Sequence, residues 1–525
     1  MKIVLKLDND VTYVEGYLSP EIYEGFKKKL GYLPQDAIWK IKKQEKDIRE
    51  AELSGKPVPD WKKNWDGRVS TVCYNYNHCR CGLKKDGMHF PTGLTSLAVS
   101  FFKERNYSVQ IIDIRKKFEK TLNLSMSSNF EKRDYQTEVV NKTDKTTRGI
   151  IKVATGGGKS SIAASIIARR GVSPTIFYVP SIDLLTQSKN ELEKFIIDYN
   201  GENIKVGQIG GGKMDIQDIN VMTIQTAVQS LGGVWVKYDD ECQNDEDIGW
   251  ERDVKGKYQK EITKVIRDAK LIIADECQHW SSQTCQIISE NSISALYRWA
   301  LSATPKRDQE DDILIDACFG KTVANINASY LIKHKFLVPP VIRFFTIDNK
   351  FKTKKINYAN IYKEAIVENI YRNRVIATAA ENFLKEGRNI LILCKQISHG
   401  KILEKMIEGS VFLHGEHSGK KRKEHLDKMR LGEPRVTISS VIFDEGIDVR
   451  ALDTLILAGS GKSSTRALQR VGRILRPFTY PDGRVKKQAL VLDFMDNCKY
   501  LQEHSKKRFR MYKTEPEFDV SIYKS

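Results

Sequence analysis

Cysteine is scarce in this chain: nine residues, an odd number, scattered through 525, which is not the pattern of a disulfide framework. No uninterrupted apolar stretch approaches the ~20 residues that span a bilayer. The opening MKIVLKLDNDVTYVEG puts Lys6, Asp8 and Asp10 where a secretory leader needs an apolar core. Residues 1–125 contain no repeat and no low-complexity tract. With 40% hydrophobic and 29% charged residues the composition excludes extensive disorder. The expectation is a soluble, intracellular protein of about three to four domains at ~150 residues each.

Positive charge is abundant. Lys and Arg number 86 against 67 Asp and Glu, a net +19 with a pI near 9.3. Such an excess points to a polyanion, with nucleic acid as the first candidate. The excess is uneven: +7 over residues 1–125 (23 basic, 16 acidic), −4 over 126–330 (25 and 29) and +16 over 331–525 (38 and 22). An acidic run at 239–253 makes the middle segment negative, and the last third includes KKRFRMYK at 506–513. A single charged run is ordinarily a solvated helix face, but the asymmetry of a whole third asks for a partner.

Alternating apolar positions (Ile3, Leu5, Leu7, then Val11 and Tyr13) predict a strand pair at the N-terminus, followed by a helix at about 38–53 and a Pro/Gly/Trp-rich connection. From about residue 131 short apolar runs alternate with helical segments: GIIKVA, TIFYVP, INVMTI, KLIIAD and YRWALSA, then NILILC, VFLH, RVTISS, TLILAG and ALVLDF. Runs of this length fit strands buried on both faces of a parallel sheet. The predicted fold is α/β: a small α+β domain over 1–125, then two tandem parallel-sheet units over 126–330 and 331–525, with an acidic insertion at about 232–268.

The strongest local pattern is VATGGGKS at 153–160, set between a strand and a helix. Thr155 and the glycines Gly156, Gly157 and Gly158 would cradle phosphates with backbone N–H groups at a helix N-terminus. Lys159 would reach the β- and γ-phosphates, and the Ser160 hydroxyl would ligate Mg²⁺. The consensus expects glycine at the first position, where Val153 stands. Nucleotide hydrolysis also needs carboxylates at the end of a neighbouring strand. The tetrapeptide DECQ occurs at 240–243, inside the acidic run, and at 275–278, after the buried-strand pattern KLIIA. Only the second copy has the required setting. Asp275 is therefore assigned to Mg²⁺ and Glu276 as base for the attacking water.

In order and over roughly 130–500, these residues resemble the superfamily 2 helicases. RDYQ at 133–136 resembles the family's adenine-reading element, which implies Arg133 and Gln136 in nucleotide binding. VPSIDLLTQ (179–187) and TIQTA (223–227) are similar to its nucleic-acid backbone elements, and SATP (302–305) to the segment coupling hydrolysis to movement. LHGEHSGKKR (413–422) resembles the second-domain backbone grip. FDEGIDV (443–449) resembles the element touching ribose and nucleic acid, implying Gly446 and Asp448 near the nucleotide. QRVGRILR (469–476) resembles the arginine-finger helix, with Gln469, Arg473 and Arg476 at i, i+4 and i+7 on one face. One departure stands out: the family's Asp-Glu-x-His has Gln278 in its fourth place, with His279 next, which leaves the contact between this motif and SATP open.

Within the superfamily, Asn64–Arg68 in KKNWDGR and the stretch ILILCKQISHGKIL (390–403) resemble the phage UvsW-type branched-DNA helicases. That resemblance implies ATP and Mg²⁺ as cofactors, branched or forked DNA as partner, and work in recombination, repair and replication within a host cytoplasm. An RNA helicase and the motor subunit of a restriction-type complex are the competing readings; no segment of adequate length for a nuclease is evident. Cys73, His78, Cys79 and Cys81 lack the paired spacing of a zinc site and read as hairpin residues. Trp61 and Trp65, flanked by Lys62, Lys63 and Arg68, fit a base-stacking wedge or a small-domain core equally well.

Overall fold

The computed structural model describes residues 1–34, 37–54, 57, 66–74, 87–129, 131–233, 254–306, 310–348, 357–414, 419–440, 449–459, 461 and 464–523. Two units emerge, one from Met1–Lys152 with residues 159–325 and the other from Val153–Gly158 with Ile326–Ser525, each in its described part. Among the described residues no helix is long and apolar enough to cross a membrane.

The first unit opens with a four-stranded sheet of β1 (Lys2–Leu7), β2 (Val11–Glu15), β3 (His89–Pro91) and β4 (Ser108–Asp113), in the order β3-β2-β1-β4. β1 runs antiparallel to β2 and parallel to β4. Strand alternation sends Ile3 and Leu5 to one face, where both are fully buried. Helices Pro20–Lys29 and Thr95–Lys103 supply Phe26, Phe101 and Phe102. Phe26 lies 4.8–5.6 Å, centroid to centroid, from these two rings and Phe90. Ser19 and Pro20 start the first of these helices, the Ser19 hydroxyl accepting the Ile22 N–H at 3.4 Å.

This apolar cluster runs on into Ile313 and Ala317 of the helix Ile313–Phe319. A Cβ on Gly93 would meet the Asp316 carbonyl at 2.1 Å, so only glycine permits the approach. Arg148 Nη2 donates to the Asn9 carbonyl at 2.5 Å, and Asn9 Nδ2 to the Ile293 carbonyl at 3.3 Å.

The larger sheet of this unit has eight strands: β5 (Arg148–Val153), β6 (Thr175–Val179), β7 (Gly207–Gly210), β8 (Lys213–Asp215), β9 (Ile219–Thr223), β10 (Leu271–Ala274), β11 (Tyr297–Ser302) and β12 (Thr322–Ile326). Their order is β8-β7-β9-β6-β10-β11-β5-β12. The pairings β7/β9, β9/β6, β6/β10, β10/β11 and β11/β5 are parallel, and β8 runs antiparallel to β7 at one edge. Helices on both faces explain why these strands are apolar along their length. Of the stretch 232–268, residues 234–253 lie outside the described residues. Val254, and Ile262 and Ile266 from the helix Gln259–Asp268, are buried in the sheet's core.

The second unit is built on seven parallel strands: β13 (Pro340–Asp348), β14 (Asn389–Leu393), β15 (Val411–Leu413), β16 (Arg435–Ser439), β17 (Thr454–Ile456), β18 (Ala489–Asn497) and β19 (Asp519–Tyr523), ordered β15-β16-β14-β17-β18-β13-β19. Two units built on parallel sheets are thus present, as the alternating pattern predicts.

Two buried ion pairs sit on β18. Arg508, from the helix Leu501–Tyr512, grips Asp493 with Nε at 2.9 Å and Nη2 at 2.8 Å. Arg372, from the helix Ile370–Lys385, places Nε 3.1 Å from Asp496. Removing one member of such a pair strands a charge in low dielectric, at a cost of about 3–5 kcal/mol. Asp493→Ala is expected to destabilise the protein by that amount in urea unfolding; a loss under about 1 kcal/mol would show that Arg508 finds another partner or water.

Candidate active site

Motif-bearing segments leave the C-terminal ends of the parallel strands of the eight-stranded sheet, the edge where open α/β sheets place their ligands. Val153 ends β5, Ser181 follows β6, Thr223 ends β9, Asp275 follows β10 and Ser302 ends β11. Ser181 and Thr223 serve locally as helix caps. The Ser181 hydroxyl accepts the Leu184 N–H at 3.4 Å, and the Thr223 hydroxyl accepts the Thr226 N–H at 3.3 Å.

Each glycine of the TGGGKS turn is required for a separate reason. Gly156 has φ 83° and Gly158 φ 77°, in the left-handed region that favours glycine. A Cβ on Gly157 would lie 2.4 Å from Val153 Cγ1. Within the second unit, a Cβ on Gly156 would lie 2.9 Å from Leu337 Cδ2 and 3.4 Å from Arg476 Cγ, and one on Gly472 would lie 2.8 Å from Thr155 Cβ. The helix Lys159–Arg170 begins at once after the turn, with Ser160 in its first turn and its middle buried all round.

Lys159 Nζ donates to Glu276 Oε1 at 2.6 Å and stands 3.7 Å from Asp275 Oδ1; the three side chains are only 16%, 17% and 12% exposed. Burial pushes the Asp275 carboxyl up to about 6, opposed by the pull of the Lys159 ammonium and assisted by the neighbouring Glu276 carboxylate. Glu276 has φ 45° and ψ 55°, left-handed values that cost a non-glycine residue about 1–3 kcal/mol. Its backbone N–H donates to Asp275 Oδ1 at 2.9 Å. The turn beyond it is anchored by fully buried Cys277 and Trp280, the indole lying edge-on to Tyr178 at 5.4 Å and Phe319 at 5.0 Å.

The contact between this motif and SATP, left open by the sequence, runs through Gln278. Its Nε2 donates to Glu276 Oε2 at 3.1 Å, and its Oε1 accepts the Ser302 hydroxyl at 2.7 Å. Ser302 Oγ in turn accepts the Thr304 N–H at 3.0 Å. A glutamine can donate and accept at once without titrating, so it joins a carboxylate to a hydroxyl where the family has histidine.

Gln136 is buried, and its Oε1 accepts the Arg133 N–H at 3.1 Å across the start of the helix Asp134–Asp144. Arg133 Nη1 donates to the Tyr135 hydroxyl at 3.2 Å.

In the second unit the helix Ser464–Ile474 carries Gln469 and Arg473. Arg476 lies beyond its end, a correction to the single helical face expected for all three. Pro477 follows, and the residue before a proline is pushed out of helical geometry.

Sequence reasoning missed what holds the connection into this helix. Arg372 Nη1 donates to the Ala458 carbonyl at 2.6 Å, and Arg508 Nη1 to that of Gly461 at 3.4 Å. A Cβ on Gly459 would come within 2.5 Å of the Lys395 nitrogen. Arg372 in the largely apolar helix Ile370–Lys385 was an available sign, whereas Arg508 sits among other basic residues in LQEHSKKRFRMY and had none.

Gly446 and Asp448 lie outside the described residues, as do the first DECQ copy, Trp61, Trp65, His78, Cys79 and Cys81. Cys73 is buried and bridges to His89 through the backbone. Among the described residues no group of three or more His, Cys, Asp or Glu side chains could hold a metal ion. Asp275 and Ser160 nonetheless fit Mg²⁺, which takes hard oxygen donors and ordinarily one or two carboxylates beside substrate phosphates.

Comparison with known proteins agrees with this arrangement. Residues 129–307 match the family described as type III restriction enzyme, res subunit, and residues 374–477 match the helicase conserved C-terminal domain. The chain is 27% identical over 409 residues to the DNA 3'-5' translocase XPB2 of Sulfurisphaera tokodaii, covering 70% of this chain and 81% of that one. It is 22% identical over 441 residues to the ATP-dependent DNA helicase uvsW of Enterobacteria phage T4, covering 79% of each. The structure of the DNA-bound type ISP restriction-modification enzyme LlaBIII shares the fold, with a TM-score of 0.52 at 16% identity over 79% of this chain and 33% of that one. With both motor-domain families matched in order, the chain belongs to the superfamily 2 helicases, enzymes driven by ATP hydrolysis.

Proposed function

We propose that this ATP-dependent DNA helicase remodels branched DNA (forks, Holliday junctions, D-loops or R-loops) in recombination, repair and replication. The observation that carries the motor reading is the chain of contacts Lys159–Glu276–Gln278–Ser302 at one sheet edge. The branched-DNA reading rests on the UvsW-type resemblance, which spans the N-terminal segment as well as the motor. The positive balance of residues 331–525 supports a sequence-independent, salt-sensitive hold on the DNA backbone.

The roles we assign follow from the chemistry of each group. Thr155, the three glycines and Lys159 bind the ATP phosphates, and Arg133 and Gln136 hold the adenine. The Lys159 ammonium is hydrogen-bonded to Glu276; ATP phosphates would compete for that ammonium and free the carboxylate to take a proton from the attacking water. Ser160 and Asp275 would hold Mg²⁺, which when bound neutralises phosphate charge. Arg473 and Arg476, with Gln469, would meet charge developing on the γ-phosphate, and Gly446 and Asp448 would contact the nucleotide. ATP thereby favours one arrangement of the motor units, hydrolysis withdraws that bias, and alternating grips become steps. Residues 1–125 would serve as an accessory DNA-binding domain.

Lys159→Ala and Arg476→Ala are each expected to lower ATP turnover by ~10³-fold or more; steady-state phosphate release at the parental rate would remove that residue from the mechanism. Gln278→Ala deletes two hydrogen bonds worth about 1–2 kcal/mol and is expected to lower kcat about tenfold while leaving KM for ATP unchanged. A change confined to KM would place Gln278 in nucleotide binding instead. A panel of fork, Holliday junction, D-loop, linear duplex and RNA substrates, with and without ATP, tests the branched reading. Preferential ATPase stimulation and remodelling by the junctions is the expected outcome; equal or greater response to RNA or plain duplex would refute it.

A further inference from the structure

A cavity of about 410 Å³ opens in the first unit between the N-terminal sheet and the larger one, at the N-terminal ends of β5, β11 and β12. That is the edge opposite Lys159 and Glu276. Its walls come from the start of the helix Thr95–Lys103, the segment after β4, and the loops entering the three strands. Thr95 and Ser96 contribute hydroxyls, and the N-cap residue Leu94 offers that helix no side-chain acceptor.

Six basic residues line the cavity (Arg115, Lys117, Lys145, Arg148, Arg170 and Lys321) against two acidic ones, Asp113 and Asp144. Both carboxylates are already engaged. Asp113 is paired with Arg115 at 2.6 Å, and Asp144 with Arg169 at 2.9 Å and with Arg170 at 3.8 Å. No carboxylate lies within ion-pair distance of Lys117, Lys145 or Lys321 among the described residues. Arg148 is 8% exposed, and beyond its one bond to the Asn9 carbonyl its Nε and Nη1 have no hydrogen-bond partner; Arg170 Nε has none either. Asp10 favours the Arg148 charge electrostatically, but Arg115 and Arg298 oppose it. A guanidinium cannot shed its proton to escape burial, and an anion in the cavity would offset the local excess of positive charge.

We propose that this cavity is a second anion site, binding a phosphate group through Lys117, Lys145, Lys321 and the Arg148 wall. Phosphate could arrive in a nucleic-acid backbone or in a free polyphosphate. The proposal does not depend on junction preference.

The test replaces Lys117, Lys145 and Lys321 together by alanine in the full chain. These exposed side chains lie outside the ATP site, so DNA-free ATPase and Tm are expected to hold. A control triple variant removes the exposed Lys194, Lys213 and Lys260. If the ligand is backbone phosphate, duplex affinity falls about tenfold or more and the slope of log K against log salt becomes shallower by up to about 2.7, each lost phosphate contact contributing ~0.9. The control must change much less. For a free polyphosphate, inorganic pyrophosphate is titrated calorimetrically into Lys159→Ala protein, which isolates this cavity from the nucleotide site; saturable heat that disappears with the added triple substitution supports that source. Unchanged DNA affinity and salt slope together with no pyrophosphate heat, or a control that loses as much as the test variant, would overturn the proposal.

Discussion

The Lys159 ammonium, held between Glu276 and Asp275 with little access to water, is the constraint from which the rest of the first unit follows. A buried ammonium and two carboxylates are tolerable only in one another's company. Their meeting requires β5 and β10 to end at the same edge, with the intervening β11 in register beside both. It also requires a turn tight enough to deliver Lys159 from the end of β5, which the glycines permit, and a left-handed Glu276, which the buried Trp280 holds in place. In the proposed cycle the lysine would serve either the carboxylate or a phosphate, and the site would change state when it switched.

That choice is not isolated in the sheet. Gln278 and Ser302 carry the position of Glu276 to the end of β11, where Thr304 leads into the next segment. Substituting glutamine for the family's histidine keeps both hydrogen-bonding senses and removes a group that titrates near neutrality. Gln278 itself therefore brings no change of charge to the link in the range in which histidine would titrate.

Much of this was legible in the sequence. KLIIAD, TIFYVP and RVTISS read as buried parallel strands because strands covered on both faces have no polar side to show. The phosphate turn and the second DECQ copy could be placed by context alone, whereas the order of the strands within each sheet could not. Other features depended on contacts that one-dimensional patterns do not carry. The bond from Arg148 to Asn9 spans 139 residues, and nothing near either position announces it. The end of the Arg473 helix before Arg476 was available in the sequence, through Pro477, but heptad-like spacing suggested a longer face. The hold of Arg372 and Arg508 on the loop before that helix is similarly a tertiary fact; arginine in a helix ordinarily faces water, and here both are buried.

The chain's treatment of buried guanidinium groups separates structural arginines from one that lacks a structural explanation. Arg372 and Arg508 each face an aspartate on β18. Arg298, also fully enclosed, satisfies its nitrogens with the carbonyls of Ala295, Ser289 and Ser292 and the Ser289 hydroxyl, at 2.8–3.2 Å. Both solutions engage the group with partners from the fold itself. Arg148 has neither: one bond to a carbonyl, two nitrogens without partners, and repulsion from Arg115 and Arg298. A fold that meets the demand three times at other positions is not short of means to meet it here. The unfilled capacity, beside three lysines with no carboxylate in ion-pair range among the described residues, has the form of a site whose remaining charge is brought by what it binds.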